Sequence, residues 1–249
     1  MIQLKSNEDL DIMRRAGKIV ALCQKEMSAK LAPGVTTNDL DKLADAFIRD
    51  HGAKPSFKGF KGYPAATCIS VNEMVVHGIP NDRPLEEGDI VSLDFGVFLE
   101  GFHADGAWTY TIGDISPENQ KLLNVTKESL IQAIAKCKPG NTVQDISRAV
   151  QTYVERNGFH IVRELVGHGI GRTLHEEPSI PNFVSKDSNA KLRPGMTFCV
   201  EPMVNFGTPK VKTLDDQWTV VTADGKPAAH YEHTIAITDK GYEILTQAQ

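Results

Sequence analysis

The strongest constraint on the fold is an internal repeat that relates the two halves of the chain. Residues 33–52 and 139–158 align without gaps, as PGVTTNDLDKLADAFIRDHG and PGNTVQDISRAVQTYVERNG. Each copy opens with a Pro-Gly turn, offers a threonine as a helix N-cap, continues with an apolar stripe of helical spacing and ends at a glycine. A helical pattern precedes each copy, over residues 10–31 and 120–137. The repeat therefore predicts two related units, each built on a pair of helices.

The repeat continues into two apolar segments that carry acidic residues. Segments 86–97 (EEGDIVSLDFGV) and 193–204 (RPGMTFCVEPMV) each contain a glycine turn followed by a strand-like run. They place Asp94 and Glu201 at matched positions. We therefore predict an α+β protein in which residues 1–249 form one domain. Its two halves, about 1–112 and 113–249, are too closely interleaved to be separate domains and meet in a shared cleft.

Composition excludes several other classes of protein. The formal net charge is -5 with a pI near 5.9, which argues against a nucleic-acid binder, and no nucleic-acid motif is present. The N-terminal stretch has no apolar run of signal-peptide or membrane length, so a cytoplasmic protein without a membrane anchor is expected. The four cysteines form no CxxC pair, which argues against zinc-knuckle and redox motifs.

Carboxylates inside apolar strands indicate a metal site. An unpaired buried carboxylate costs several kcal/mol, so it needs a cation, a hydrogen-bond shell or a metal. The candidate ligands contain oxygen and imidazole donors and no thiolate; they are Asp94, Asp105, His168, Glu201 and Glu232. Such a set suits divalent Mn, Co, Fe or Zn. Four carboxylates balance two divalent ions, which together can lower the pKa of a shared water.

The other histidines and the GHGIG segment have several possible roles. His168 and His175 flank GIGR at a spacing that does not fit a metal pair on one helix, so they need not share a role. His103 and His233 lie beside candidate ligands and are interpreted as supporting or structural residues. Surface or packing roles are expected for the histidines without such neighbours, which are His51, His160 and His230. GHGIG lacks the lysine and serine of a phosphate loop and does not match the dinucleotide spacing.

Several segments together resemble the type I methionine aminopeptidases in their short bacterial form. They are CISVNEMVVHGIP, the Asp94/Asp105 spacing, GHGIGRTLHEEP, FCVEPMV and DGKPAAHYEHT, and the resemblance covers essentially the whole chain. It implies the pseudo-twofold "pita-bread" fold, with an antiparallel sheet and helices outside. It also implies removal of the initiator methionine from nascent proteins by dinuclear-metal-assisted hydrolysis, with preference for a small second residue.

The resemblance also implies roles for individual residues. Asp94, Asp105 and Glu232 are expected to hold one ion, with Asp105 and Glu232 bridging to a second. His168 and Glu201 would complete the second site, and Glu201 would also act as the general base. The resemblance further places His77 near the amine side or scissile nitrogen of the substrate, and His175 at the scissile carbonyl, where a donor stabilises developing charge.

The methionine pocket of the family corresponds to Phe60, Tyr63, Cys68 and Trp218, which could otherwise be ordinary core residues. Two positions depart from the pattern. Phe57 stands where some relatives have cysteine, and Gly106 follows Asp105 where Ser or Thr is common, which could alter metal affinity through lost hydrogen bonding. The extended N-terminal zinc-binding region of some relatives does not appear, so ribosome contact through such a module is not expected.

Two alternatives remain open at this point. An Xaa-Pro aminopeptidase or dipeptidase would have a similar metal set, although such relatives usually carry an additional N-terminal domain. A non-catalytic binding protein of the same fold tends to lose ligands, and here all five are present.

The expected partners are the N-termini of nascent polypeptides, with transient ribosome association, and the expected state is a monomer.

Overall fold

The computed structural model describes residues 1–186 and 189–247, which form four α-helices and fifteen strands. The helices are α1 (Asn7–Ser28), α2 (Thr37–Asp50), α3 (Pro117–Ile134) and α4 (Val143–Arg156). The strands of the first half are β1 (Lys54–Pro55), β2 (Cys68–Val71), β3 (Met74–Val76), β4 (Ile90–Leu99) and β5 (Phe102–Thr111). Those of the second half are β6 (His160–Ile161), β7 (Gly167–Gly169), β8 (Glu176–Ile180), β9 (Thr197–Val200), β10 (Met203–Asn205), β11 (Val211–Thr213), β12 (Val220–Thr222), β13 (Ala228–His230), β14 (His233–Thr238) and β15 (Gly241–Ile244).

The two repeated helices form as the sequence predicts. Both α2 and α4 have 14 residues, and their N-caps are Thr36 and Thr142. Each helix is followed by a glycine of positive φ, Gly52 at 74° and Gly158 at 85°. A left-handed residue just beyond a helix end is the conformation that glycine adopts most readily.

The preceding helices, α1 and α3, begin and end about one turn earlier than predicted. Ser6 and Asp9 form a capping box at the start of α1, and Ser116 accepts a hydrogen bond from the Asn119 N–H at the start of α3. These first turns are polar, so they carry no apolar periodicity. The pattern continues beyond the helix ends because Leu31 and Cys137, in the following turns, also pack against the core.

Strand pairing repeats between the halves. Strand β1 pairs with β4 through Lys54 and Phe98, and β6 pairs with β10 through His160 and Asn205, the matching positions one repeat later. All named strand pairs among the described residues are antiparallel. The repeat is therefore present in strand register as well as in sequence, and the α+β pseudo-twofold prediction is confirmed.

Helices and sheets form a separate apolar core in each half, and two further clusters combine residues of both halves. Helices α1 and α2 pack with β4, whereas α3 and α4 pack with β9 and β14. The halves are joined at several places, among them the antiparallel pairing of β3 with β12 and a set of contacts between β5 and the start of β14. The Asp105 N–H donates to Thr234 Oγ1 (2.9 Å), that hydroxyl donates to the Asp105 carbonyl (2.7 Å), and the Glu232 N–H donates to the Ala107 carbonyl (2.8 Å).

Candidate metal centre

A cavity of about 250 Å³ lies between the halves, and every site residue predicted from the sequence lines it. The charged and imidazole side chains are Asp94, Asp105, Glu201, Glu232, His77, His168 and His175. The side chains proposed for the methionine pocket are Phe60, Tyr63, Cys68 and Trp218. Residues distant in sequence thus meet on one concave surface.

Strand geometry brings the two aspartates together. In the β4–β5 ladder Asp94 lies opposite Ala107, and Asp105 lies opposite Gly96. The two aspartates are therefore diagonal neighbours on the same face of an antiparallel pair, within reach of one another. Both side chains are buried, at 8% and 5% exposure.

The second pair of carboxylates comes from the ends of two neighbouring strands. Val200 at the end of β9 pairs with His233 at the start of β14. Glu201 and Glu232 are the next residues outward on these strands, so the same register carries them to the same place. His168 on β7 completes the group, with its Nε2 3.5 Å from Glu201 Oε1.

Glycines on both sides of His168 allow its strand to approach its neighbours. A Cβ at Gly167 would lie 2.5 Å from the Cys199 carbonyl oxygen, and one at Gly169 would lie 2.3 Å from the Glu177 carbonyl oxygen. Neither distance is possible for a real side chain. The GHG sequence is therefore explained by close packing of strands, in agreement with the view that it is not a phosphate loop.

The carboxylates repel one another in a site that is largely buried from solvent. Burial, followed by the charges of Asp105 and Glu232, raises the pKa of Asp94 well above its usual value. Burial raises the pKa of Asp105 to about 7. Burial and then neighbouring carboxylates also raise the pKa of Glu201 and of Glu232. Without a cation, the group would have to take up protons near neutral pH.

The histidines are neutral. Burial, and secondarily the charge of His175, lowers the pKa of His77 to about 4 and that of His168 to about 3. Burial also lowers the pKa of His175. The Nδ1 of His168 lies 3.0 Å from the Gly169 carbonyl, which leaves its Nε2 directed at the carboxylates. A neutral imidazole with one nitrogen anchored is the form that binds metals.

The buried polar atoms that lack a hydrogen-bond partner show that these residues fit a divalent metal. Within residues 1–186 and 189–247, four buried carboxylate oxygens have no hydrogen-bond partner; they are Asp94 Oδ1, Asp105 Oδ1, Glu201 Oε1 and Glu232 Oε1. Buried polar atoms are nearly always paired, so four orphaned oxygens around one cavity indicate a site for cations.

A cysteine outside the predicted ligand set also lies at this site. Potential ligand atoms of Asp105, His168, Cys199 and Glu232 all lie within 4.8 Å of one another. Cys199 is two residues before Glu201 on the extended chain, so both side chains share a face. Burial, followed by the charge of Glu232, raises the pKa of its thiol, whose Sγ lies 3.6 Å from Thr234 Oγ1. The thiolate is the form of cysteine that binds metals. A Cys199 thiol that stays protonated therefore leaves the metal to the oxygen and nitrogen donors.

The two histidines expected from the sequence to contact substrate, His77 and His175, line the cavity with the carboxylates. The ring of His175 is 4.2 Å from that of His168 and meets the Phe60 ring edge-on at 5.2 Å, measured between centroids. His77 has a positive φ of 58°, an uncommon conformation for a non-glycine residue and one that holds it at the cavity.

Beside the carboxylates, the cavity wall is apolar. Tyr63 and Trp218 form an edge-to-face pair at 5.1 Å, and the Tyr63 hydroxyl donates to backbone carbonyls of Thr67 and Gly78, so the ring presents its apolar part. Cys68 lies opposite Asp94 in the β2–β4 pair. It is therefore at the boundary between the apolar wall and the carboxylates.

One interpretation from the sequence is wrong. Instead of lying at the surface or in ordinary packing, His230 lines the cavity, is 2% exposed and has its Nε2 3.8 Å from Glu201 Oε2. The signal for this role is its position on the strand, two residues before Glu232, which places both on one face. The structure also adds Phe57, Leu174 and Met203 to the lining. His103 and His233 bond to Ser56 and Thr246 respectively, as supporting residues would.

Comparison with known proteins shows to which family this chain belongs. The model of metallopeptidase family M24 matches residues 11–239. The chain belongs to metallopeptidase family M24. Within M24 it is 52% identical to methionine aminopeptidase 1 of Bacillus subtilis over 99% of this chain and 100% of that protein. It superposes on the methionine aminopeptidase of Thermotoga maritima with a TM-score of 0.97, at 44% identity and with full coverage of both chains.

A prolidase from Pyrococcus furiosus shares the M24 fold at a TM-score of 0.81, with 21% identity and coverage of 99% of this chain and 66% of that one. The predicted resemblance to bacterial type I methionine aminopeptidases and the pita-bread fold are confirmed, as is the class of metal-dependent aminopeptidase. None of the helices among the described residues is long and apolar enough to cross a membrane.

Proposed function

We propose that this M24 peptidase removes the initiator methionine from new polypeptides with the help of two divalent ions, and that it prefers substrates with a small second residue. The observation that carries the proposal is the group of four orphaned, buried carboxylate oxygens facing one cavity beside an apolar wall. Their charge of about -4 when ionised matches two divalent ions.

The proposed ligand assignment follows the two strand pairs. Asp94, Asp105 and Glu232 would hold one ion, and His168 and Glu201 would complete the other, with Asp105 and Glu232 shared. The assignment is supported by the diagonal placement of the aspartates and by the approach of His168 Nε2 to Glu201. When bound, the ions would polarise the scissile carbonyl and make a water nucleophilic near neutral pH.

The protein's own groups would perform the remaining steps. Glu201 would take the proton of the attacking water and pass it to the leaving nitrogen. His175, neutral and able to donate, would stabilise the developing charge on the scissile carbonyl oxygen. His77 would contact the substrate amine side or the scissile nitrogen. The methionine side chain would lie against Phe60, Tyr63, Cys68 and Trp218, whose aromatic and sulfur surface suits a flexible thioether.

The preference for a small second residue is supported by the size of the cavity. A volume of about 250 Å³ must hold the methionine side chain and the reacting groups, which leaves little room for a second bulky side chain. We further propose one catalytic domain over residues 1–249, a monomeric state, and a cytoplasmic location with transient ribosome association, where the substrates emerge.

The test is a metal titration of stripped protein. Purified protein freed of metal is assayed on Met-Ala-Ser while Co, Mn, Fe and Zn are added separately. We expect free methionine to be released only in the presence of metal. The dependence of activity on metal concentration should fit the binding of two ions better than the binding of one. Met-Phe-Ser should be cleaved far more slowly, and Ala-Pro-Ala not at all. Cleavage of Ala-Pro-Ala in preference would instead identify a proline-specific enzyme, and a folded protein inactive with every ion would refute the proposal.

A further inference from the structure

A glutamine on the outer helix contacts the two strands that carry the aspartates. Gln24 lies on α1, and its Nε2 donates to the Leu93 carbonyl of β4 (2.7 Å) and to the Gly106 carbonyl of β5 (3.0 Å). One side-chain nitrogen therefore connects both strands. Its other amide atom, Oε1, accepts a hydrogen bond from the Tyr110 hydroxyl (3.2 Å), which fixes the orientation of the amide.

The two carbonyls lie next to the proposed ligands. The Leu93 carbonyl belongs to the peptide bond that leads into Asp94, and the Gly106 carbonyl follows Asp105 directly in the chain. Asp94 pairs with Ala107, so the two peptide bonds held by Gln24 both adjoin this pair and lie diagonally across the ladder from each other. The next carbonyl along β5, that of Ala107, accepts the Glu232 N–H. Two of the five proposed ligands, Asp94 and Asp105, are thus sequence neighbours of the residues that Gln24 contacts. A third, Glu232, is hydrogen-bonded to the residue that follows Gly106.

The second of these carbonyls belongs to a residue that packs closely against the same helix. A Cβ at Gly106 would lie 3.2 Å from Val20 Cγ1, on the α1 side of the sheet. Gln24, Gly106 and Tyr110 line one recess there, together with Glu232. Gln24 and one of its carbonyl partners therefore lie in the same recess as one of the proposed ligands.

We infer that Gln24 is a positioning residue that sets the spacing of β4 and β5 at the metal ligands and thereby the affinity for divalent metal. The inference rests on the proposed metal centre. Two carboxylates that share ions must be held against mutual repulsion, and a clamp on their own peptide bonds does this directly. Residues behind metal ligands change affinity by about 10- to 100-fold when removed. For a contact through the backbone we expect the lower end of that range.

The test compares Mn²⁺ affinity with stability in matched variants. Gln24→Leu keeps the approximate volume and removes both donors, and Gln24→Glu keeps the length but cannot donate to carbonyls. Tyr110→Phe removes only the orienting hydroxyl. The control is Met27→Ala on the same helix, whose buried side chain packs in the same core. Calorimetric titration of metal-free protein with Mn²⁺ gives the dissociation constant, and urea unfolding of the metal-free protein gives stability.

We expect the dissociation constant to rise about tenfold in Gln24→Leu and in Gln24→Glu, and less in Tyr110→Phe. The visible spectrum of the Co²⁺-loaded Gln24 variants should change, since the ligand geometry changes. Met27→Ala should lose more stability yet bind Mn²⁺ within about twofold of the parent. Unchanged affinity in the Gln24 variants, or equal weakening in Met27→Ala, would overturn the inference.

If the Gln24 variants do not fold, Tyr110→Phe still decides, because an unchanged affinity and Co²⁺ spectrum there would count against the clamp. A parent that binds Mn²⁺ but releases no methionine would refute the proposed function while leaving the comparison of affinities valid. A parent that binds no divalent ion would refute both.

Discussion

At the scale of single residues, His175 allows the proposed substrate chemistry to be tested separately from metal binding. It lies against His168 but is held by aromatic contact with Phe60, and burial keeps it neutral. We predict that His175→Ala retains bound metal and lowers kcat by about a hundredfold, the loss expected for one donor to a developing oxyanion. Metal content by elemental analysis and steady-state kinetics on Met-Ala-Ser check this. Loss of metal from the variant would show that His175 has been assigned the wrong role.

Asp105 gives a contrasting prediction. Its backbone is fixed by the Thr234 hydroxyl through both N–H and carbonyl, so the strand contact does not depend on its carboxylate. Asp105→Ala should therefore fold, and should lose metal retention and methionine release together. Circular dichroism establishes folding, and dialysis followed by metal analysis measures retention. Full activity in this variant would contradict the assignment of Asp105 as a shared ligand.

The acidic residues could be predicted because a carboxylate within an apolar strand is conspicuous in the sequence itself. Asp94 and Glu201 are found in this way, and their placement at the cavity follows from strand register. His230 is misinterpreted from the sequence, and nothing in the sequence connects Cys199 or Gln24 with the site, because these positions depend on which distant groups lie next to them. Gln24 bonds to carbonyls of residues 93 and 106, which no local pattern on its helix indicates.

At the scale of elements, the glycines of β7 connect sheet packing with the site. Gly169→Ala would place a Cβ 2.3 Å from the Glu177 carbonyl oxygen, so β7 and β8 would have to separate. We predict a loss of about 2 kcal/mol in the free energy of unfolding, as for other overpacked sites, and weaker metal binding because His168 moves with its strand.

The matched control for Gly169→Ala is Gly140→Ala. Gly140 has a φ of 92°, and a Cβ added there would have no atom within 4 Å, so the change strains only a turn, at about 1–2 kcal/mol. Urea unfolding should show a loss in both variants, whereas Mn²⁺ titration should show weaker binding in Gly169→Ala alone. Equal metal affinity in the two variants would mean that the position of His168 does not depend on this packing.

Elements with strong local signals are predicted well. Helices α2 and α4 have threonine caps, apolar stripes and terminal glycines, and all of these act within a few residues. The limits of α1 and α3 are displaced by about a turn, since polar first turns and packed turns beyond the helix end obscure the boundary. The short strands of the second half, such as β7 and β10, depend on long-range pairing and give weaker signals.

For the molecule as a whole, the buried acids make stability without metal depend on pH. Burial raises the pKa of Asp105 to about 7 and also raises that of Asp94, Glu201 and Glu232. In the unfolded chain these groups titrate near pH 4. These carboxylates therefore keep protons in the folded state that they lose in the unfolded state, and this contribution to stability falls as pH rises. The buried histidines, whose pKa values are lowered, contribute in the opposite direction, but only up to about the pKa of a free histidine, near 6.5.

We therefore predict that the free energy of unfolding of metal-free protein decreases from about pH 7 to pH 8, above the range in which histidines of the unfolded chain titrate. Saturating Mn²⁺ should reduce or reverse this slope, because the ions replace the protons. Urea unfolding at several pH values, with and without Mn²⁺, measures both slopes. The control is Asp105→Ala, which should show a shallower slope in the metal-free state. A metal-free protein that gains stability toward pH 8 would contradict the prediction.

The paired contacts between Asp105 and Thr234, and between Ala107 and Glu232, have a consequence for the speed of folding. These contacts join residues far apart in the sequence, so they form only after both halves have largely assembled. The proposed ions, with ligands from both halves of the chain, would stabilise the native state more than the transition state. Their main effect would then be to slow unfolding, which would make the loaded enzyme long-lived in the kinetic sense while its folding rate stays nearly the same.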